Sequence, residues 1–128
     1  MTMTKELYDK GLATRKEVLG SDYVQRQLAA ADDFNRPLQE LVTEYCWGWL
    51  WTRPQLPRKT RSLLNLALLS SLNRGTEFKA HVKGALTNGC SKDEIREVLL
   101  QVAVYCGVPA GVEAFRLARE VFNEADKR

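Results

Sequence analysis

The sequence predicts an all-α protein, and three observations carry that expectation. Apolar residues recur at three- and four-residue spacing along nearly the whole chain. The interruptions are helix punctuation, namely Gly20, Gly107 and the pair Pro54 and Pro57. No strand-like alternation, internal repeat or low-complexity tract competes with the helical period. With 128 residues, one domain spanning 1–128 is the simplest organisation, long enough to bury roughly two-thirds of its unfolded surface in one core.

Leu7, Tyr8, Leu12, Arg15, Val18 and Leu19 give a first amphipathic helix that ends near Gly20. Ser21 is placed to cap a second, which carries Tyr23, Val24, Leu28, Ala31 and Phe34. Asn35 followed by Pro37 reads as an N-cap with proline in the first turn, opening a third helix through Leu38, Leu41, Val42, Tyr45, Cys46 and Trp49. Residues 51–57 leave that helix, because two prolines remove donors and push the preceding residues toward extended backbone. The next helix is apolar in almost every direction, through Leu63, Leu64, Leu66, Ala67, Leu68 and Leu69, and wants neighbours all round. Ser91-Lys92-Asp93-Glu94 reads as a capping box that opens another, with Ile95, Val98, Leu99 and Val102 on one face and Leu100 and Val104 on a second. A last helix begins at Pro109 after Gly107 and ends in a charged, frayed Asp126-Lys127-Arg128. Two helices apolar on more than one face predict a homo-oligomer.

Lys and Arg exceed Asp and Glu by 19 to 16 and are scattered among acids, which argues against nucleic acid and suits a small anionic ligand. No export signal and no apolar run of about 20 residues is present, so the expected compartment is the cytoplasm, with no membrane partner. Cys46, Cys90 and Cys106 contain no C-x-x-C pair and read as small, mostly buried hydrophobes.

The segment Asn73–Pro109 holds the sole histidine, His81, one helical turn after Glu77. Arg74, Glu77 and His81 share one edge if the helix reaches back past Gly75. Phe78, Val82, Ala85 and Leu86 form the adjoining apolar stripe, so His81 belongs at the border of buried and open surface, where its pKa can be perturbed. The plainer reading is a border histidine hydrogen-bonded for structure. Glu77 and His81 could be two metal ligands one turn apart, but no second histidine and no thiolate pair completes a set, and no metal or other cofactor is expected. Arg53, Arg58, Lys59 and Arg61 straddle the proline loop and the following helix entrance. They read either as a solvated entrance or as a carboxylate site, since cations at a helix N-terminus oppose the macrodipole and a bound anion would offset that cost. Trp47, Trp49 and Trp51 read as core and interface packing.

The segments Asp33-Phe34-Asn35, Trp51-Thr52-Arg53-Pro54, Thr60-Arg61-Ser62-Leu63, Glu77-Phe78-Lys79-Ala80-His81, Asn88-Gly89 and Tyr105-Cys106-Gly107-Val108-Pro109 resemble, in order and spacing, the γ-carboxymuconolactone decarboxylase family. The resemblance covers nearly the whole chain. It implies a compact orthogonal bundle of about six helices of the alkyl hydroperoxidase D-like type, assembled into rings, with hexamers expected. It also implies a cofactor-free carboxy-lyase of the protocatechuate branch of the β-ketoadipate pathway, turning 4-carboxymuconolactone into 3-oxoadipate enol-lactone. The redox branch of the superfamily keeps a glutamate and a C-x-x-C pair that fall here on Arg61, Arg74 and Glu77, which removes thiol chemistry. Gln55 stands where glycine usually follows the loop proline, and Gly111-Val112 where alanine and asparagine are usual.

The implied reaction needs cations for two carboxylates, a donor for a developing oxyanion and an acid for the ring carbon. His81 is the candidate general acid. Glu77 would orient it and raise its pKa. Arg53, Arg58, Arg61 and Arg74 are unranked candidates for two-pronged carboxylate contacts with a small dicarboxylate lactone. The alternatives are a related decarboxylase or lactone-processing enzyme of the same fold on another substrate, and a non-catalytic helical oligomer that binds small anions.

Overall fold

Seven α-helices and one π-helical segment make up most of residues 5–127, the part of the chain that the computed structural model describes. They gather into two compact units, Met1–Pro57 and Arg58–Arg128. Among the described residues no helix is long and apolar enough to cross a membrane.

In the first unit, α1 (Lys5–Leu19) and α2 (Ser21–Ala29) meet at Gly20, whose φ of 94° explains the glycine. Gly20, not Ser21, is the N-cap of α2, and Phe34 lies beyond that helix, 93% exposed. Asn35 does cap α3 (Arg36–Leu41) by position, but its Oδ1 accepts from the Asp32 backbone N–H at 2.8 Å instead of from the helix. The helix then continues as a π segment, Val42–Leu50, not as the regular α-helix expected from the apolar spacing. In it Trp47 is buried and stacks on the buried Trp51 at 4.8 Å between centroids, while Tyr45 and Trp49 stay exposed, as do Leu38 and Leu41 of α3.

The second unit has one hydrophobic core. Leu66 of α4 (Arg58–Ser71), Phe78, Val82 and Ala85 of α5 (Gly75–Thr87), Ile95 and Leu99 of α6 (Lys92–Cys106), and Ala114 and Ala118 of α7 (Val108–Asp126) are all buried within it. α4 and α5 form an antiparallel hairpin. Its turn is a Schellman cap: Asn73 adopts φ 58°, its N–H donates to the Ser70 carbonyl at 3.2 Å, and Arg74 N–H donates to Leu69 at 2.9 Å. The expected capping box on α6 forms, with Ser91 Oγ accepting from Glu94 N–H at 3.0 Å and Glu94 Oε1 from Ser91 N–H at 2.9 Å. Gly107, at φ 115°, breaks α6 from α7. Lys127 caps α7, and Arg128 of the expected frayed end lies outside the described residues.

Both departures from the family pattern have a physical reason here. A Cβ on Gly111 would come 2.5 Å from the Cβ of Ala103, so glycine lets α6 and α7 approach closely. Gln55 is not among the described residues with positive φ, so its turn does not require glycine.

Candidate active site

One flank of α5 carries a polar row. Glu77, His81 and Asn88, separated by four and seven positions, share a stripe. Lys79 stands on the other flank, where it pairs with Glu120 of α7 at 3.1 Å. The stripe runs beside α4, because Asn88 Nδ2 donates to the buried Ser62 Oγ at 2.9 Å. On α4 the residues Arg58, Arg61 and Asn65, at spacing three and four, form a matching polar row, and all three are half-buried, as is His81. The two rows line one hairpin, with Asn88 level with Ser62 and His81 seven positions, or about 10 Å, nearer its closed end.

Burial pulls the His81 pKa down from 6.5 to about 4. This reverses the expected upward shift. Glu77 is exposed, so water screens its charge, whereas desolvation of the imidazolium acts in full and is the cause that counts. At neutral pH the free protein therefore holds His81 uncharged.

Within the second unit, Arg74 stands apart from Arg58 and Arg61. The proviso on Arg74 fails, since α5 starts at Gly75 and Arg74 is its N-cap with non-helical φ −96° and ψ 73°. Its side chain lines a small cleft of ≈ 120 Å³ closed by Phe78, Ala110, Glu113, Ala114 and Leu117, and His81 is not among the walls. Arg74 lies at the closed end of the α4–α5 hairpin and Arg61 near its open end, thirteen positions away, or about 20 Å along helix axes. Arg53 is exposed in the first unit, its Cζ 5.0 Å from the ring centroid of Trp49, a cation–π contact. Asn65, four positions after Arg61, and the Asn88–Ser62 pair were not singled out from the sequence as polar companions of the site; for Asn65 and Asn88 the helical spacing from Arg61 and His81 was the signal. Trp49, read as packing, is exposed and lies under the Arg53 guanidinium.

The thiols stand apart from this chemistry. Burial pushes the Cys46 and Cys90 pKa values up, which disfavours the thiolates, and Cys90 Sγ contacts the Lys59 carbonyl at 3.5 Å. Cys106 is exposed, contrary to the expectation of mostly buried cysteines. Among the described residues no three His, Cys, Asp or Glu side chains cluster as a metal site would require.

The chain is thus a helical protein with one half-buried imidazole on α5, a basic row at the entrance of α4, and no clustered metal-ligand set among the described residues. Residues 36–120 match the carboxymuconolactone decarboxylase family, and the chain belongs to it. The nitrosuccinic acid decarboxylase of Metarhizium robertsii is 46% identical over 120 residues, covering 94% of this chain and 84% of the relative. The 4-carboxymuconolactone decarboxylase of Acinetobacter baylyi is 41% identical over 120 residues, covering 94% and 90%. Both relatives are decarboxylases, which supports a carboxy-lyase activity for this chain.

Proposed function

We propose that this protein decarboxylates 4-carboxymuconolactone to 3-oxoadipate enol-lactone without a cofactor, as a step of the protocatechuate branch of the β-ketoadipate pathway. The observation that carries the reading is the α4–α5 hairpin, whose polar strip carries half-buried His81 on α5 and half-buried Arg58 and Arg61 on α4, in a chain 41% identical to a decarboxylase of that name.

The chemistry asks little more. The departing carboxylate stands on a ring carbon joined through one double bond to the lactone carbonyl. Breaking its C–C bond releases carbon dioxide and sends the electron pair through that double bond onto the carbonyl oxygen, giving a dienolate. A proton then enters at the carbon alpha to the carbonyl. The substrate is its own electron sink, so no metal or redox group is needed. Arg58 and Arg61 are the proposed carboxylate partners at the strip, with Arg53 a further candidate on the first unit. Arg74 faces a different cleft and drops in rank.

His81, uncharged in the free protein, is proposed to gain its proton as the substrate binds. One carboxylate about 4 Å away, at an effective dielectric of about 20, contributes about 4 kcal/mol, or about three pKa units. That shift carries a pKa of about 4 to near neutrality. The acid is thus armed by the anion it serves, with Glu77 left a minor orienting role.

The relative at 46% identity favours a second reading, a decarboxylase for nitrosuccinic acid or a similar diacid. There, too, a second carboxylate is available for binding and a nitro group can take the electron pair. The family match straddles the division at Pro57, which supports proposing 1–128 as one functional domain. A homo-oligomer, with a hexamer expected, is proposed from the apolar residues left exposed on α4 and α6, Leu64, Leu68, Leu100 and Val104, and from Leu72 just after α4.

The test is turnover of each acid in chelator-treated buffer, followed by absorbance and carbon dioxide release. Turnover of the lactone with a kcat/KM at least about a hundredfold above that for nitrosuccinate supports the first reading. The reverse ratio supports the second, and release from neither rejects both.

A further inference from the structure

Residues 1–35 precede the segment that matches the family, yet they contain a buried cation. Arg15 of α1 is 5% exposed, and its Nη1 donates to Gln39 Oε1 at 3.0 Å and to Thr43 Oγ1 at 3.3 Å. Burying a guanidinium against two neutral acceptors is a costly way to stabilise a helix pair, but a directional way to fix a register. The backbone contacts around it have the same specificity. A Cβ on Gly11, one turn before Arg15, would lie 1.9 Å from the Thr43 carbonyl oxygen and 2.8 Å from Gly48 N. A Cβ on Gly48 would lie 2.5 Å from the Leu7 carbonyl oxygen. Leu7, Gly11 and Arg15, four positions apart, are therefore one stripe of α1 that grips Gln39, Thr43 and Gly48.

Thr43 and Gly48 are five residues apart, the hydrogen-bond spacing of a π-helix, and Trp51 N–H donates to the Cys46 carbonyl, also five back, at 3.0 Å. A π register is rare and stays where surrounding contacts hold it. A slip of one residue into the α register would turn everything downstream by about 100°. Downstream are Trp49 and Arg53, whose ring and guanidinium pair at 5.0 Å.

We infer that Arg15, acting with Gly11, locks the π register of Val42–Leu50 and thereby aims the Trp49–Arg53 pair, which makes it a positioning residue for the carboxylate that Arg53 receives. This rests on the proposed role of Arg53 as a carboxylate partner, and two readouts keep the two claims apart. The first is steady-state kinetics on 4-carboxymuconolactone. Arg15→Gln should raise KM at least about fivefold with kcat within about twofold, and should add nothing further to Arg53→Met. Arg15→Lys should recover part of the loss. The second readout is near-ultraviolet circular dichroism of the Trp47–Trp51 stack, which joins the locked stretch to its C-cap and should change in Arg15→Gln while far-ultraviolet helicity is kept.

A lowered kcat with unchanged KM, or full additivity with Arg53→Met, overturns the inference. If Arg53→Met leaves KM unaltered, it is the carboxylate role of Arg53 that fails, and the dichroism decides alone: an unchanged tryptophan signal in Arg15→Gln overturns the register lock, and an altered one upholds it. Should Arg15→Gln not fold, Thr43→Val keeps the shape, removes one acceptor and enters the same comparisons.

Discussion

At the scale of single residues, the environment of His81 decides what the site can do, and stability should report it. An imidazole with a pKa of about 4 folded and 6.5 unfolded takes up protons on unfolding between those values. Its contribution is therefore complete above pH 6.5 and is lost as pH falls toward 4. Between pH 7 and pH 5, urea titrations should show the wild type losing roughly 2 kcal/mol more than His81→Asn. Parallel losses in the two proteins would mean that the ring is not desolvated. The carboxylates held low by hydrogen bonds, Glu94 and Glu113, titrate below 4.5 and do not enter that window. The arginines separate in the same way. Arg61→Lys should raise KM about tenfold or more, because an ammonium cannot make a two-pronged contact, while Arg74→Lys should leave KM within about twofold. A matching rise for Arg74→Lys would return that residue to the site. The residue types here were legible in the sequence: one histidine, the arginines, no thiol pair. The sign of the histidine's shift was not, because it depends on how much water Phe78, Val82 and the α4 hairpin exclude, which no local spacing encodes.

At the scale of elements, the sequence was most readable where a helix is decided by its own residues. The Ser91–Glu94 box and the breaks at Gly20 and Gly107 are local chemistry, and each stands where it was expected. The segment after Leu41 was illegible for the opposite reason. Leu38, Leu41, Val42, Tyr45, Cys46 and Trp49 keep a 3.6-residue period, and the π register arises from a distant partner, the backbone of α1 at Leu7 and Gly11. Likewise, nothing in the Asn73-Arg74-Gly75 stretch announced that a left-handed asparagine would end α4 and set Arg74 outside α5. Close approach of α6 and α7 gives a test at this scale. Gly111→Ala places a Cβ 2.5 Å from that of Ala103, and the urea midpoint should fall by an amount equivalent to about 1–3 kcal/mol. Adding Ala103→Gly should restore much of the loss. A neutral Gly111→Ala would show that the two helices separate at little cost.

At the scale of the whole molecule, the all-α architecture followed from periodicity alone, but the faces left unsatisfied bear on assembly. Leu64 and Leu68 on α4, and Leu72 just after it, stand 49%, 56% and 59% exposed, beside a helix whose opposite side is core. Apolar surface of that extent is characteristic of association. Sedimentation should give a multiple of the 14.5 kDa subunit mass, with six expected, and Leu68→Asp should shift the distribution to smaller species. A wild-type monomer at micromolar concentration would remove the proposed interface. The central claim, decarboxylation with His81 as the proton donor, is tested most directly by the turnover of 4-carboxymuconolactone by His81→Asn protein that matches the wild type in helicity and sedimentation. The expected result is a kcat lower by at least about two powers of ten with a smaller change in KM; turnover at the wild-type rate would contradict it and assign the proton to another donor.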